Sequence, residues 1–317
     1  LNADDPLLLG LDIGGTKTAL VVGDRTGAVV ERVEFPSLAG RGPEPLLAET
    51  EACAAALIAG HRRIGAIGVS IGGPVDAEAG LVMSPPHLPG WDAVPLAARL
   101  AGRFGLPARI EHDAKAGALA EWRYGAGRGA RDLVFLTLGT GLGAGIIAGG
   151  RLVRGAGNLA GEIGHWRIAA DGPDVYGKRG SLEGWASGAG VPALARFLHP
   201  EALADIGDAA SLARRAAAGD AAAEQAIVAA GAALGRALAL LVDLLAPERI
   251  VLGNLARRLG PSFTAAAEAE LAREALPALA ARCRVVPCAL GDRIGDMAAL
   301  AVAAAALEER DSAHAAH

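Results

Sequence analysis

The sequence predicts an α/β protein of two lobes, and three observations carry that prediction. Apolar runs of strand length alternate with alanine-rich helical patterns along most of the chain. A strand, Gly/Thr turn, strand unit, "LGLDIGGTKTALVV" at residues 9–22, is used again from Leu133 as "LVFLTLGTGLGAGIIAGGRLV". At 317 residues the chain exceeds one ordinary core, yet no Ser/Pro/Gly-rich linker divides it, so lobes sharing a cleft are expected rather than separate beads. The expected boundaries are 1–112 for the first lobe, joined by a C-terminal helix over 294–312, and 113–293 for the second.

Taken in order, residues 7–12 and 18–22 read as strands on either side of a Gly-Gly turn. Residues 45–60 are helical in pattern, and "IGAIGVSIGG" (64–73) reads as a buried strand ending in glycines and Pro74. "PPHLPGW" (85–91) is a proline-rich loop, followed by a short helix to Phe104, a strand over 108–112 and an alanine-rich helix from Ala114 to about Arg123. After the second strand–turn–strand unit, residues 154–180 are irregular. Helices then run to Pro247, followed by the strand "RIVLGN" (249–254), more helix, the strand "CRVVPC" and a final alanine-rich helix. The last residues, "DSAHAAH", read as a frayed end.

Composition excludes several function classes. Hydrophobic residues are 52% but aromatics only 3%, so the core is built from Ala, Val, Leu and Ile. Net charge is −5 and the 30 basic residues are scattered, which argues against a nucleic-acid partner. "LNADDPLLLG" has no basic segment ahead of an apolar core, so no secretory signal is read there. The longest apolar region, 226–245, is interrupted by Arg236 and Asp243, which favours a buried amphipathic helix over a membrane span of about 20 residues. Cys53, Cys283 and Cys288 are a sparse, odd set that fits a reducing cytoplasm. Cys283 and Cys288 are either metal ligands or ordinary packing, and no companion pair lies nearby to favour the former.

The two Gly/Thr turns carry the chemistry. "GTGLGAG" (139–145) is not a dinucleotide fingerprint, because a strand rather than a helix follows it, and it lacks the Gly-Lys-Thr of a Walker loop. A hairpin turn can still bind phosphate, since glycine N–H groups form an anion nest and threonine hydroxyls add donors. Each turn alone is equally a plain tight turn; two of them, the first with an acid, point to phosphate. Asp12 inside a phosphate turn is repulsive unless Mg²⁺ stands between them, and Mg²⁺ is commonly held by carboxylates, phosphates and water. The other reading is an Asp that bonds its own turn.

"DIGGTKT", "LGTGLGAG", "GNLAGEIGH" and "RIVLGN", in this order, resemble the ROK family of sugar kinases and repressors, within the actin-like, ribonuclease H-like ATPase superfamily. The likeness covers nearly the whole chain and is specific for the family, not for one sugar. It implies two ribonuclease H-like lobes around a central cleft that close over ATP and a hexose, with Mg²⁺ required. In that reading Asp12 holds Mg²⁺ through water, and Gly14, Gly15, Thr16, Lys17, Thr18, Gly139, Thr140 and Gly141 hold phosphate. Gly253 and Asn254, in "APERIVLGN", resemble the adenosine-side motif. Asp113, at a strand end opening a helix, aligns with the base that accepts the sugar hydroxyl proton; an N-cap role is compatible with this. Gly73, His87, His112, Glu162, His165 and Glu183 complete the sugar side, although any one of the last three could by itself sit on a solvated loop.

Departures from the family pattern shape the expectations. Many members carry a Cys-x-Cys-Gly-x-x-Gly-Cys-x-Glu run that binds structural zinc. Here it reads "DVYGKRGSLE", with Asp174, Tyr176 and Ser181 in place of the cysteines, so no zinc is expected and the loop needs other support. His112 and His87 stand where asparagine is common, which can change sugar choice and, beside Asp113, the pH profile. Asn254 replaces a second glycine. The leading expectation is a cytoplasmic, glucokinase-like ATP-dependent hexose kinase acting on a hydroxyl such as the 6-OH, and a homodimer or homotetramer by family likeness. Polyphosphate remains open as donor. A non-catalytic sugar- or nucleotide-binding protein is the alternative. A transcriptional regulator is disfavoured, because the phosphate turn begins at Asp12 and no room for a helix-turn-helix is read before it.

Overall fold

The structure is a computed structural model that describes residues 5–315. The chain divides into two compact units: the first is the chain up to Gly125 with Arg154–Leu159 and the chain from Asp292 onward, and the second is Ala126–Val153 with Ala160–Gly291. The boundary expected at 112/113 is corrected by this division. The helix opened by Asp113 packs within the first unit against the C-terminal helix, and Arg123 pairs with Glu308 at 2.5 Å.

The first unit opens with β1 (Leu7–Ile13), β2 (Lys17–Gly23) and β3 (Val29–Pro36), then α1 (Pro43–Gly60), β4 (Ile64–Ile71), a small ribbon of β5 (Val75–Asp76) and β6 (Leu81–Val82), α2 (Leu96–Phe104), β7 (Ala108–His112) and α3 (Asp113–Tyr124). The second unit holds β8 (Leu133–Leu136), β9 (Ala144–Ala148), β10 (Arg151–Leu152), the ribbon β11 (Asp174–Val175) and β12 (Lys178–Arg179), α4 (Leu182–Ala186), α5 (Gly190–Leu198), α6 (Ala209–Ala217), α7 (Ala221–Leu245), β13 (Arg249–Leu252), α8 (Asn254–Leu259), α9 (Pro261–Glu274), α10 (Pro277–Ala280) and β14 (Arg284–Pro287). The chain ends in α11 (Ile294–Ala315), back in the first unit. Helix therefore continues into "DSAHAAH", where fraying was expected; the remainder of that run lies outside the described residues.

The two sheets share one topology. The orders are β3-β2-β1-β4-β7 and β10-β9-β8-β13-β14, and in each the first three strands in sequence are antiparallel neighbours while the later two run parallel to the first. Each Gly/Thr turn joins the first strand of its sheet to the second, so the motif repetition in sequence is a repetition of architecture.

Strand alternation sorts the faces of the first sheet. Leu7, Leu9, Leu11 and Ile13 pack with Ile67, Val69, Ile71 and with Leu46, Leu47 and Leu57 of α1. Each such fully buried side chain contributes about 1.5–3 kcal/mol. On the opposite face Gly10 pairs with Gly68 across β1 and β4, and α11 lies directly on this bare strip. A Cβ on Gly68 would come within 2.0 Å of the Ala303 nitrogen, and one on Gly10 within 2.9 Å of Ala299 Cβ. In the second unit α7 packs on α9 by the same device: Gly231 and Gly235 face the Phe263 and Ala267 carbonyls, where a Cβ would approach to 2.3 and 2.4 Å. α7 is long and apolar enough for a membrane span by composition, but much of it is buried in the second unit's core beside Val134, Leu136 and Ile250.

β3 and the two-residue strands of the ribbons β5–β6 and β11–β12 are not expected from the sequence. Most residues of β3 are exposed and charged residues interrupt it, as suits a strand at a sheet edge.

Candidate active site

In the first unit the candidate residues gather at the C-terminal ends of the parallel strands β1, β4 and β7. Asp12 lies on the face of β1 that carries Gly10 and so meets the first turn of α11. A Cβ on Gly295 would stand 2.0 Å from Asp12 Oδ2, so any larger residue there would displace the Asp12 carboxylate. Among the described residues the Asp12 carboxylate accepts no hydrogen bond, which removes the reading of an Asp that bonds its own turn. Burial, then the negative charges of Asp296 and Asp113, push its carboxyl up to about 6, while Lys17 and Arg32 pull the other way. Arg32 Nε bonds Asp296 Oδ2 at 2.7 Å and its other nitrogen reaches Glu34 at 2.5 Å. An unbonded carboxylate amid excess acid is a fitting oxygen donor for a hard divalent cation.

The turn itself is closed by Gly14 N–H donating to the Lys17 carbonyl at 3.0 Å, and the N–H groups of Gly15 and Thr16 donate to nothing among the described residues. That leaves two donors for an anion. His87 sits over Gly15 with its carbonyl, which a Cβ there would meet at 2.9 Å, while its residue is exposed. Two expectations are revised. Thr18 is fully buried and its hydroxyl pairs with Ser37 Oγ at 2.8 Å, which in turn donates to the Gly14 carbonyl at 2.5 Å; it braces the turn from behind instead of offering phosphate a donor. The Lys17 side chain points to solvent and pairs with Glu34 at 2.9 Å.

At the β7–α3 junction the helix cap is His112, not Asp113. His112 Nδ1 accepts the Ala114 N–H at 3.3 Å, and Asp113 becomes the first helical residue with its side chain 53% exposed. An exposed carboxylate there is available to a ligand. His112 Nδ1 also lies 3.3 Å from Asp113 Oδ1, and one nitrogen cannot accept from Ala114 and donate to Asp113 at once. Gly73, at the end of β4, leaves room for the His112 ring: a Cβ would reach its Cδ2 at 2.1 Å. Beneath the junction runs a buried network that the sequence reading did not identify. Glu111, 2% exposed, accepts from His112 N at 3.1 Å, from Asn158 Nδ2 at 3.0 Å and from Arg154 Nε at 3.1 Å, and buried Lys115 donates to the Asn158 carbonyl at 2.9 Å. The available signal was a lysine in the first turn of an alanine-rich helix.

In the second unit the turn after β8 is longer than its counterpart. Thr137 N–H donates to the Gly143 carbonyl, Gly143 N–H returns to Thr137 Oγ1 at 3.1 Å, and Gly139 N–H bonds the Gly141 carbonyl at 3.1 Å. Thr140 and Gly141 N–H groups donate to nothing among the described residues. Leu142 N–H donates to Glu183 Oε2 at 2.8 Å, a bond between two separately identified motifs. Gly253 caps α8 and cannot carry a side chain, since a Cβ would stand 1.9 Å from the Thr137 carbonyl oxygen. The Asn254 amide bonds the Gly291 carbonyl at 3.0 Å and receives Cys288 Sγ at 3.1 Å, so it ties α8 to the end of β14.

Glu162 and His165 flank a single helical turn and are exposed, and His165 stacks on Tyr176 with ring centroids 5.9 Å apart. The run without cysteines is held by hydrogen bonds. Asp174 accepts from Gly177 N, Ser181 caps α4 through Gly184 N, Arg167 and Arg179 donate to the Arg179 and Gly172 carbonyls, and Trp185 donates to the Asp171 carbonyl. The last three were not foreseen. Among the described residues no three His, Cys, Asp or Glu side chains cluster as a metal site.

Comparison with known proteins shows the family. The ROK family model matches residues 8–306. The glucokinase of Streptomyces coelicolor is 37% identical over 183 residues, which is 57% of this chain and 56% of that enzyme, so the match spans little more than half of the curated relative. The N-acetylmannosamine kinase of Shigella flexneri is 35% identical over 233 residues, 73% of this chain and 77% of its own. Among solved structures, a ROK family glucokinase from Streptomyces griseus in complex with glucose and AMPPNP superimposes with a TM-score of 0.76 at 30% identity, covering 94% of this chain and 99% of that one.

Proposed function

From its membership of the ROK family, with the actin-like ATPase fold, we propose that this chain is a sugar kinase that transfers the γ-phosphoryl group of Mg-ATP to a hydroxyl of a hexose, the 6-OH in a glucokinase-like reaction. One observation supports it above the rest: a half-buried, unbonded carboxylate (Asp12) and an exposed one (Asp113) stand at the ends of β1 and β7, the two parallel strands on either side of β4 in one sheet, close enough for their charges to interact. In this reading Asp113 accepts the proton of the attacking hydroxyl as the sugar oxygen bonds the γ-phosphorus and the bond to the β-phosphate oxygen breaks. Gly73, His87, His112, Glu162, His165 and Glu183 orient the sugar. Gly15, Thr16, Thr140 and Gly141 offer backbone and hydroxyl donors to phosphate while the Gly14 and Gly139 N–H groups close the two turns, and Gly253 and Asn254 serve the adenosine side. Asp12 would hold Mg²⁺, which neutralises phosphate charge.

A second reading, a protein that binds sugar or nucleotide without turnover, draws on His112: its Nδ1 is committed to capping α3. One assay separates the two. ADP release from Mg-ATP is measured with glucose, mannose, fructose, allose, N-acetylglucosamine and N-acetylmannosamine, alongside Asp113→Asn. Turnover on at least one sugar is expected, with a loss of about 100-fold or more in the variant, the scale of a removed general base. Binding without ADP release on any sugar overturns the kinase reading.

A further inference from the structure

Glu183 is a sugar-side residue by motif, yet its carboxylate is built into the second phosphate turn. Oε2 accepts the Leu142 N–H at 2.8 Å. The space for this contact is kept by two glycines, one from each motif: a Cβ on Gly141 would stand 3.0 Å from Oε2, and one on Gly164, between Glu162 and His165, would stand 3.2 Å from it. The residues following α4 hold the same turn, since Gly188 N–H and Ala189 N–H donate to the carbonyls of Gly139 and Thr140 at 2.8 and 3.0 Å. Every one of these groups belongs to the second unit.

We propose that Glu183 couples the two ligands: one carboxylate oxygen anchors the phosphate turn while the other receives a sugar hydroxyl, so that sugar and nucleotide each tighten the binding of the other. The inference rests on the sugar-kinase reading. Two effects of known sign produce the coupling. With no sugar present, a carboxylate beside an anion nest repels phosphate, and a hydroxyl donated to Oε1 spreads that charge. The same hydroxyl restricts the side chain to the rotamer that reaches Leu142, so nucleotide no longer bears that ordering cost. Linkage is reciprocal, and either ligand can serve as the probe.

The test is the Kd of a non-hydrolysable ATP analogue with Mg²⁺, measured calorimetrically without sugar, with glucose, and with N-acetylmannosamine, for the wild type, Glu183→Ala and Glu183→Gln. In the wild type one of the sugars lowers the nucleotide Kd by about 5-fold or more, within the ordinary range of coupling. Glu183→Ala removes the anchor, so the sugar-free Kd weakens by about 5-fold or more and the sugar effect vanishes. Glu183→Gln keeps an acceptor for Leu142 and removes the charge; its sugar-free Kd is no weaker than wild type, and its linkage shrinks. Melting curves confirm that each variant is folded, and Glu183→Gln decides alone if Glu183→Ala is not. A wild-type nucleotide Kd indifferent to both sugars, linkage that survives in the variants, or an unchanged sugar-free Kd in Glu183→Ala overturns the proposal. Failure of the kinase reading shows separately, as absent ADP release, because the sugar-free comparison needs no turnover.

Discussion

At the scale of single residues, Asp12 shows how a site can oppose the stability of its own fold. Its carboxyl titrates near 6 in the folded chain against 3.8 as a free group, so the folded state binds a proton more tightly than the unfolded one between those values. Stability is therefore lost as pH rises from about 4 through about 6, and above that window the cost is constant at about 3 kcal/mol. Asp12→Asn, in buffer with EDTA, should melt several degrees above the wild type at pH 7.5, and the gap should close at pH 4. Equal gaps at the two pH values would show that Asp12 is not held against its charge. Asp113 teaches a different lesson. Asparagine and aspartate are favoured caps, so the sequence suggested Asp113 for that role, but the extended residue before it took the position and left Asp113 facing solvent. Thr18 was misread because a hydroxyl in a phosphate-like turn looks functional, whereas its place in β2 turns it inward to Ser37.

At the scale of elements, glycines in register explain how a chain with so few aromatics builds a dense core. Gly10 and Gly68 form a flat strip on which Ala299 and Ala303 of α11 lie, with backbone nearly against backbone. Gly68→Ala should lower stability by about 1–3 kcal/mol or more in urea unfolding, because the obstruction is the main chain of α11 and cannot rotate away. Gly102→Ala is the control: it lies in α2 with nothing within 4 Å, and the substitution should raise stability by about 0.5–1 kcal/mol. A neutral Gly68→Ala would mean that α11 does not seat on this strip. The elements themselves were largely legible, because buried strands and alanine-rich helices differ in length and in Gly/Pro boundaries. Both turns were legible for the same reason. β3 was not, since its alternation of Val with Glu and Arg gives an edge strand no apolar run. The Glu183–Leu142 bond had no local signal either, because it joins positions 41 apart in sequence.

At the scale of the whole molecule, the first unit is assembled from three pieces of chain, and only the largest is continuous with the N-terminus. The short piece Arg154–Leu159 was invisible in the sequence, where it is one more glycine-rich stretch. In the structure it supplies Arg154 and Asn158 to the buried Glu111 and a carbonyl to Lys115. Residues 1–125 alone would keep Glu111 and lose these partners, and would also uncover the Gly10–Gly68 strip. A carboxylate buried without its partners costs several kcal/mol, whereas a paired one roughly breaks even, so the same substitution should change sign with context. We expect no cooperative thermal transition by circular dichroism for the 1–125 fragment, and one for that fragment joined through a short glycine linker to residues 292–317. Glu111→Gln should lower the melting temperature of the full chain, because Arg154 then loses its counter-charge. In the joined fragment, where Arg154 and Asn158 are missing, it should raise it. Cooperative melting of 1–125, or the same sign in both backgrounds, would show that Arg154–Leu159 rests on the first unit without completing it.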